Sequence, residues 1–286
     1  MTAACRSVRL LVRSAAWLAL SVVVAGAGVA GELPNATAAS GAPGPRASAP
    51  DARGAFVGWV GRPGASSHST NWAGYAATGP VFNAVSGSWI QPAVSCANKV
   101  TQSAFWVGID GFGPTDPTVQ QIGTDSDCTK GNRRNPGGPS YYAWFEMFPS
   151  SLVVLDTATY PVVAGDAMSA GVTRVGSRYQ LTLTDAGHWS FATVQSAPTA
   201  PLDASAEWIV EAPTACTGSG CRPVGLADFG SVGFTGATAN GRPINAPGTT
   251  ADQIDMTRNK KGTILKASTS PLGPGGTGFG VTWVSS

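Results

Sequence analysis

From His68 onward, apolar and polar residues alternate in short runs broken by Gly, Pro, Asp and Asn. The clearest runs are "NWAGYAA", "AVSGSWI", "SAFWVGID", "YYAWFEMF", "MSAGVTRV", "RYQLTLTD", "SFATVQS", "AEWIVEA" and "GSVGFTGA". Alternation with period two is the signature of strands with one face toward a core, and no stretch sustains a 3.6-residue period for three turns with caps. Many short strands at regular turn spacing predict an all-β sandwich or barrel.

The same parity sorts the polar residues inside the strands. In "AFWVGID", Phe105, Val107 and Ile109 share one face, while Trp106 and Asp110 share the other. In "VQQIGTD", Gln121 and Asp125 lie opposite Gln120 and Ile122. Trp144 and Glu146 share a face in "YYAWFEMF", and Glu207 opposes Trp208 in "SAEWIVE". Four strands that each offer an amide, carboxylate or indole from the face opposite a core point to one shared surface. A single carboxylate on one strand would otherwise be an ordinary solvated charge, and Trp89 and Trp208 are expected in the core.

The ends of the chain carry a different pattern. Residues 1–30 begin with Arg6, Arg9 and Arg13, continue as the apolar run "SAAWLALSVVVAGAGVA" and end in small residues, the layout of a secretory signal cleaved after Ala30. Residues 31–66, dominated by Ala, Gly, Pro and Ser, read as a linker or short pro-segment, leaving 67–286 as one β-sandwich domain. Without residues 1–30 the chain has 15 basic against 16 acidic side chains and no basic stripe, so a nucleic-acid partner is not expected. Nor is a membrane partner after signal removal, and a secreted monomer is the expectation. Cys5 leaves with the signal. Cys96, Cys128, Cys216 and Cys221 then allow three pairings, of which Cys216–Cys221 around "TGSG" with Cys96–Cys128 is the simplest.

Familiar catalytic signatures are missing: there is no HExxH, G-x-S-x-G or Walker motif. "GPGGTG", residues 273–278, precedes no helix and reads as a turn. A histidine-dependent triad would need His68 or His188, one at the linker border and one in a turn. No cofactor or metal is expected.

The motifs "NWAGYAA", "FWVGIDG", "QQIGTD", "YYAWFEMFP", "SAEWIVE" and "LADFGSVGFT" resemble, in order and style, the glutamic peptidases (the eqolisin, or G1, family), in a bacterial-type form. The resemblance spans about Asn71 to Ala237 and implies a concanavalin-like sandwich of two curved antiparallel sheets with a concave substrate groove. It also implies metal-free endopeptidase activity on proteins and peptides at acidic pH. Carried over motif by motif, it makes Gln121 and Glu207 the catalytic pair. Asp110, Asp125 and Glu146 become their supporting carboxyls, and Trp72, Trp106 and Trp144 the groove walls, with Asn71 beside Trp72. The chain departs from fungal relatives in "VQQIG", and in a Gly- and Pro-rich tail after Ala237 that is expected to reshape one end of the groove.

Amide hydrolysis needs a base for water, a donor for the oxyanion and an acid for the leaving amine. One carboxyl can serve as base and then acid, and a neutral amide N–H₂ can donate to the oxyanion at any pH. Two other readings fit an aromatic face bearing carboxylates. One is a glycoside hydrolase using Glu146 and Glu207, and the other is a binding module for carbohydrate or peptide without turnover.

Overall fold

In the computed structural model the described residues are 58–59, 66–113, 116–134, 136–217, 220–259 and 261–286, all within the second of two compact units, Ala42–Ser286. The expected signal segment, and the linker apart from residues 58–59 and 66, lie outside them. Among the described residues there is no helix.

In chain order the strands are β1 (Gly58–Trp59), β2 (Ser67–Ser69), β3 (Trp72–Thr78), β4 (Ala84–Ile90), β5 (Ala104–Ile109), β6 (Val119–Lys130) and β7 (Gly137–Phe148). Next come β8 (Val153–Val154), β9 (Ala167–Val175), β10 (Arg178–Asp185), β11 (Trp189–Ser196), β12 (Ser205–Glu211), β13 (Thr214–Thr217) and β14 (Gly220–Pro223). The chain closes with β15 (Ser231–Ala239), β16 (Arg242–Pro243), β17 (Thr250–Thr257), β18 (Leu265–Thr269) and β19 (Phe279–Trp283). The alternation-based strands β4 and β10 coincide with the sequence runs to the residue.

One sheet runs β8–β7–β6–β5–β12–β3–β17–β18–β19 and ends on the first half of β15. The other runs β11–β10–β9–β4 to the second half of β15, with β16 at its margin. β15 therefore passes from one sheet into the other, with a register shift between Thr235 and Thr238 on its β4 side. All pairings are antiparallel except that β2 lies parallel to β17. The short β1, inside the region read as linker, pairs antiparallel with β2. This is an open two-sheet sandwich, as expected.

The core between the sheets is built from the predicted apolar parities. Tyr75, Phe105, Val107, Ile109 and Trp208 from the first sheet meet Trp89, Met168, Val172, Leu181 and Leu183 from the second. Burying side chains of this size contributes about 1.5–3 kcal/mol each. The two buried indoles satisfy their N–H groups across the sandwich: Trp208 Nε1 donates to the Ser86 carbonyl (2.7 Å) and Trp89 Nε1 to Thr124 Oγ1 (3.2 Å). Cys96 and Cys128 form a disulfide, with Cα atoms 5.4 Å apart, that ties the loop after β4 to β6. Cys216 and Cys221 are register partners across the β13–β14 hairpin, the placement the proposed second bridge requires, though their side chains lie outside the description.

The tail was read as Gly- and Pro-rich, but it contributes three strands to the first sheet. β17 enters beside β3, because "TADQIDMT" places Asp252, Ile254 and Met256 on alternate positions. The expected turn at residues 273–278 is present and closed by a bond from Gly273 N–H to the Gly278 carbonyl (2.8 Å).

Candidate active site

The face of the first sheet turned away from the inter-sheet core carries a second apolar cluster, which includes Trp72, Trp106, Trp144, Ile209 and Ile254. Strand register converts the sequence parities into rows across this face. One row runs Asp252 (β17), Ala76 (β3), Glu207 (β12), Gly108 (β5), Gln121 (β6), Glu146 (β7). Directly paired residues point the same way, so Glu207, Gln121 and Glu146 share one face and Gln120 is on the other. Strands lie ~4.8 Å apart, which puts the Glu207 and Gln121 backbones roughly 10 Å from each other with only Gly108 between them.

The row is dry. Glu207 and Glu146 are 0 % exposed and Gln121 is 1 % exposed. Gln121 Nε2 donates to Glu146 Oε2 at 2.7 Å, which fixes the amide and leaves its second N–H uncommitted by that bond. Among the described residues Gln121 Oε1 has no hydrogen-bond partner, and the Ser205 hydroxyl is the donor nearest the Glu207 carboxyl. Burial pushes the Glu207 carboxyl well above the usual carboxylate range; the Ser205 hydroxyl, two residues away on the same face, partly offsets this, and the charges of Asp110 and Asp116 add to the rise.

Asp110 follows β5 with φ 70°, a left-handed conformation that Asp tolerates better than most residues. Its Oδ1 accepts Ala204 N–H (2.8 Å), and its Oδ2 accepts Leu202 N–H (3.0 Å) and the Thr118 hydroxyl (3.3 Å). Burial raises its pKa to about 6, against the backbone donors that favour the ionised form, with Asp116 and Asp203 raising it further. Asp116 in turn braces the 111–118 loop, accepting Gly111 N–H (2.8 Å) and Thr118 N–H (3.2 Å).

The neighbouring rows hold the indoles. Trp106 and Trp144 are both register partners of Gly123, where a Cβ would lie 2.6 Å from Trp106 Cβ, so the glycine lets the two rings flank one gap. Trp72 packs edge-on against Trp106, with centroids 5.0 Å apart. Asp125 Oδ1 accepts Trp144 Nε1 (2.6 Å) and its Oδ2 the Tyr142 hydroxyl (3.0 Å), so it fixes the Trp144 ring. Glu211 does the same for Trp106, accepting Nε1 at 2.9 Å. Glu211 and Asp252 were not anticipated at the site. The signal for Glu211 was its parity with Glu207; for Asp252 it was the alternation of "TADQIDMT".

Cys96 and Cys128, joined to each other, and both histidines are not members of this row. Among the described residues, the one cluster with metal-ligand potential is Asp166, Asp185 and His188, carried by β10 and the loops flanking β9 and β10. Those elements belong to the second sheet. His188 Nδ1 and Asp185 Oδ2 are hydrogen-bonded there at 2.8 Å.

Comparison with known proteins places the fold. Residues 70–275 match the Peptidase A4 family. Aspergillopepsin-2 of Aspergillus niger is 27% identical over 214 residues, covering 66% of this chain and 71% of its own. The structure of scytalido-glutamic peptidase with a peptide-based transition state analog superposes with a TM-score of 0.60 at 24% identity, covering 75% of this chain and 98% of that one. Aspergilloglutamic peptidase from Aspergillus niger does so with a TM-score of 0.50 at 26% identity, covering 64% and 99%. With most of its length matched and every strand of the row inside the match, the chain belongs to the Peptidase A4 family, the glutamic peptidases, and is a peptide hydrolase.

Proposed function

We propose that the chain is a secreted acid endopeptidase whose hydrolytic pair is Glu207 and Gln121. The observation that carries the reading is the row itself, a buried carboxyl and a buried amide on one face with only Gly108 between them. A substrate peptide group seated over Gly108 has its carbonyl oxygen near the second Gln121 N–H and a water near Glu207. Ionised Glu207 takes the water proton as the oxygen attacks the carbonyl carbon. Gln121 donates to the resulting oxyanion, a contribution of roughly 10²–10³ in rate for one such donor. Glu207 then passes its proton to the departing amine, and the C–N bond breaks. Glu146 holds the amide so that it needs no reorganisation at that moment.

The acid requirement follows from the charge count. The Asp110 charge raises the proton affinity of buried Glu207. Below about 6 Asp110 itself carries a proton. With Asp110 neutral, one of the charges that raise the Glu207 proton affinity is gone, which lowers the cost of ionising Glu207 to the form able to act as base. A glycoside hydrolase would need Glu146 as the second carboxyl, but Glu146 is engaged by Gln121, and a peptide-based transition state analog is the ligand of a structural relative. Export rests on the signal-like residues 1–30.

The test is digestion of a denatured protein across pH 2–7 by wild type and Glu207→Gln, with product masses recorded. Internal fragments from wild type at acidic pH, and at least a roughly 10²-fold loss in the variant, are expected. Near-normal turnover by Glu207→Gln removes the proposal. Export is checked by recovering the protein from culture medium and sequencing its N-terminus, expected at Gly31; retention of the uncleaved start in the cell counts against it.

A further inference from the structure

Asp110 lies directly after β5 of the first sheet, and the segment that leads from β11 of the second sheet into β12 grips its carboxylate. Its two carboxylate oxygens accept the N–H groups of Leu202 and Ala204, the residues on either side of Asp203. Asp203 is itself left-handed, at φ 52°, which turns its side chain away from those N–H groups. That side chain is 5% exposed and is taken by a cross-strand pair on β9 and β10. Arg174 Nη1 donates to Asp203 Oδ2 at 2.7 Å and the Tyr179 hydroxyl donates to Oδ1. Arg174 and Tyr179 are register partners, and both lie on the inward parity of the second sheet. The main chain is locked as well: Phe82 N–H donates to the Asp203 carbonyl (2.8 Å) and Asp110 N–H to the Ser205 carbonyl (3.0 Å).

The turn 202–204 is thus a connector with the second sheet on one side and the hydrolytic row on the other. The main chain of this turn grips the Asp110 carboxylate while the side chain at its centre, Asp203, is held by the second sheet. Nothing in the peptide-cleaving chemistry uses Arg174 or Tyr179, yet a network has been built there in which a half-exposed Arg174 reaches a buried Asp203 and Tyr179, at the cost of two left-handed aspartates.

Resting on the dyad reading, we propose that Asp203, clamped by Arg174 and Tyr179, is a positioning residue for the hydrolytic pair: it holds the 202–204 turn that sets Asp110 beside Glu207. The charged or titratable groups facing this network are Arg174 on β9, Tyr179 on β10, Asp110 after β5, Asp116 in the following loop and Glu207 on β12. The sign of the effect follows from them. Without Arg174 the Asp203 charge is uncompensated and the turn loosens, so Asp110 loses backbone donors that favour its ionised form. Both changes raise the proton affinity of Asp110, and the alkaline limb of activity moves to higher pH.

The experiment measures kcat, KM and the pH profile of kcat for wild type, Arg174→Met, Arg174→Lys, Tyr179→Phe and Glu207→Gln, with thermal midpoints alongside. Arg178→Met, on the neighbouring strand and touching only the Val194 carbonyl, controls for loss of one positive charge. Arg174→Met should lower kcat by about tenfold with KM within about twofold, and shift the alkaline limb up by about half a pH unit or more. Tyr179→Phe should move in the same direction, Arg174→Lys should restore most of both, and Arg178→Met should match wild type. A wild-type kcat and pH profile in Arg174→Met, a lowered midpoint as its only change, or the same limb shift in Arg178→Met would overturn the positioning role while an inactive Glu207→Gln leaves the dyad standing. An active Glu207→Gln overturns both.

Discussion

Gly108 offers the sharpest perturbation, because it lies between the two reacting side chains without contributing an atom to the chemistry. Replacing it by alanine puts a methyl on the dyad face, 3.0 Å from Trp106 Cζ3, 3.2 Å from the Gln120 carbonyl oxygen and 3.2 Å from Gln121 Cβ. These contacts are a few tenths of an ångström too short, and one of them is to backbone. Overpacking of this kind costs about 1–3 kcal/mol, which for a domain of this size lowers the thermal midpoint by roughly 2–10 °C. Activity should suffer far more than stability, since the methyl occupies the space where the substrate carbonyl must lie and pushes Gln121 from its line to Glu146. A displacement near 1 Å at such a site can cost about 10²-fold in rate. Gly171→Ala is the matched control. Its Cβ would be 3.3 Å from both Thr182 Oγ1 and the Val85 carbonyl oxygen, a similar squeeze in the second sheet away from the row. The assay is kcat/KM on an unfolded protein substrate at acidic pH, with midpoints by scanning calorimetry. A Gly108→Ala enzyme as active as Gly171→Ala, with both folded, would refute the idea that the substrate lies over Gly108.

Asp110→Asn removes the like charge beside Glu207, so the alkaline limb near 6 should vanish or rise by about one pH unit, even if turnover falls several-fold; an unmoved limb in the pH profile would show that another group sets it. The same residue gives stability a pH slope. Its folded pKa is raised, so the folded state holds an extra proton between the usual Asp value and about 6, and stability falls as pH rises through that window, by on the order of 3 kcal/mol. Urea unfolding at pH 4 and 7 should show this loss in wild type and a smaller one in Asp110→Asn. Cleaving the Cys96–Cys128 bridge, which spans a sequence separation of 32, should cost roughly 3–4 kcal/mol, measured by denaturation with and without reductant; equal midpoints would contradict it.

The architecture was legible wherever a strand buries one face and leaves a plain alternation. "RYQLTLTD" shows this best: Tyr179, Leu181, Leu183 and Asp185 are buried, with the residues between them half-buried or exposed. The dyad strand β12 was harder, because all seven of its residues are buried and its two faces differ in chemistry rather than in wetness. Parity alone could oppose Glu207 to Trp208, but choosing Gln121 over Gln120 needed the neighbouring Asp125 and the family resemblance. The strand β17 was lost among glycines and prolines whose turns flank it, so Asp252 went unseen in the row. Partner choice was least legible. That Asp125 grips Trp144 and Tyr142 could not be read from the sequence, because side-chain reach across neighbouring strands is invisible before the register is known. The Arg174–Asp203–Tyr179 network joins residues whose meeting only the stacking of the two sheets brings about.

The central claim is that Gln121 and Glu207 act as one unit, and a double-mutant cycle in kcat/KM on a single peptide substrate at acidic pH tests it most directly. Gln121→Ala and Glu207→Gln should each lose at least roughly 10²-fold, and the double variant should lose little more than the worse single, as groups acting in one transition state do. Losses that multiply in the double variant, or near-normal turnover by either single variant, would contradict the account.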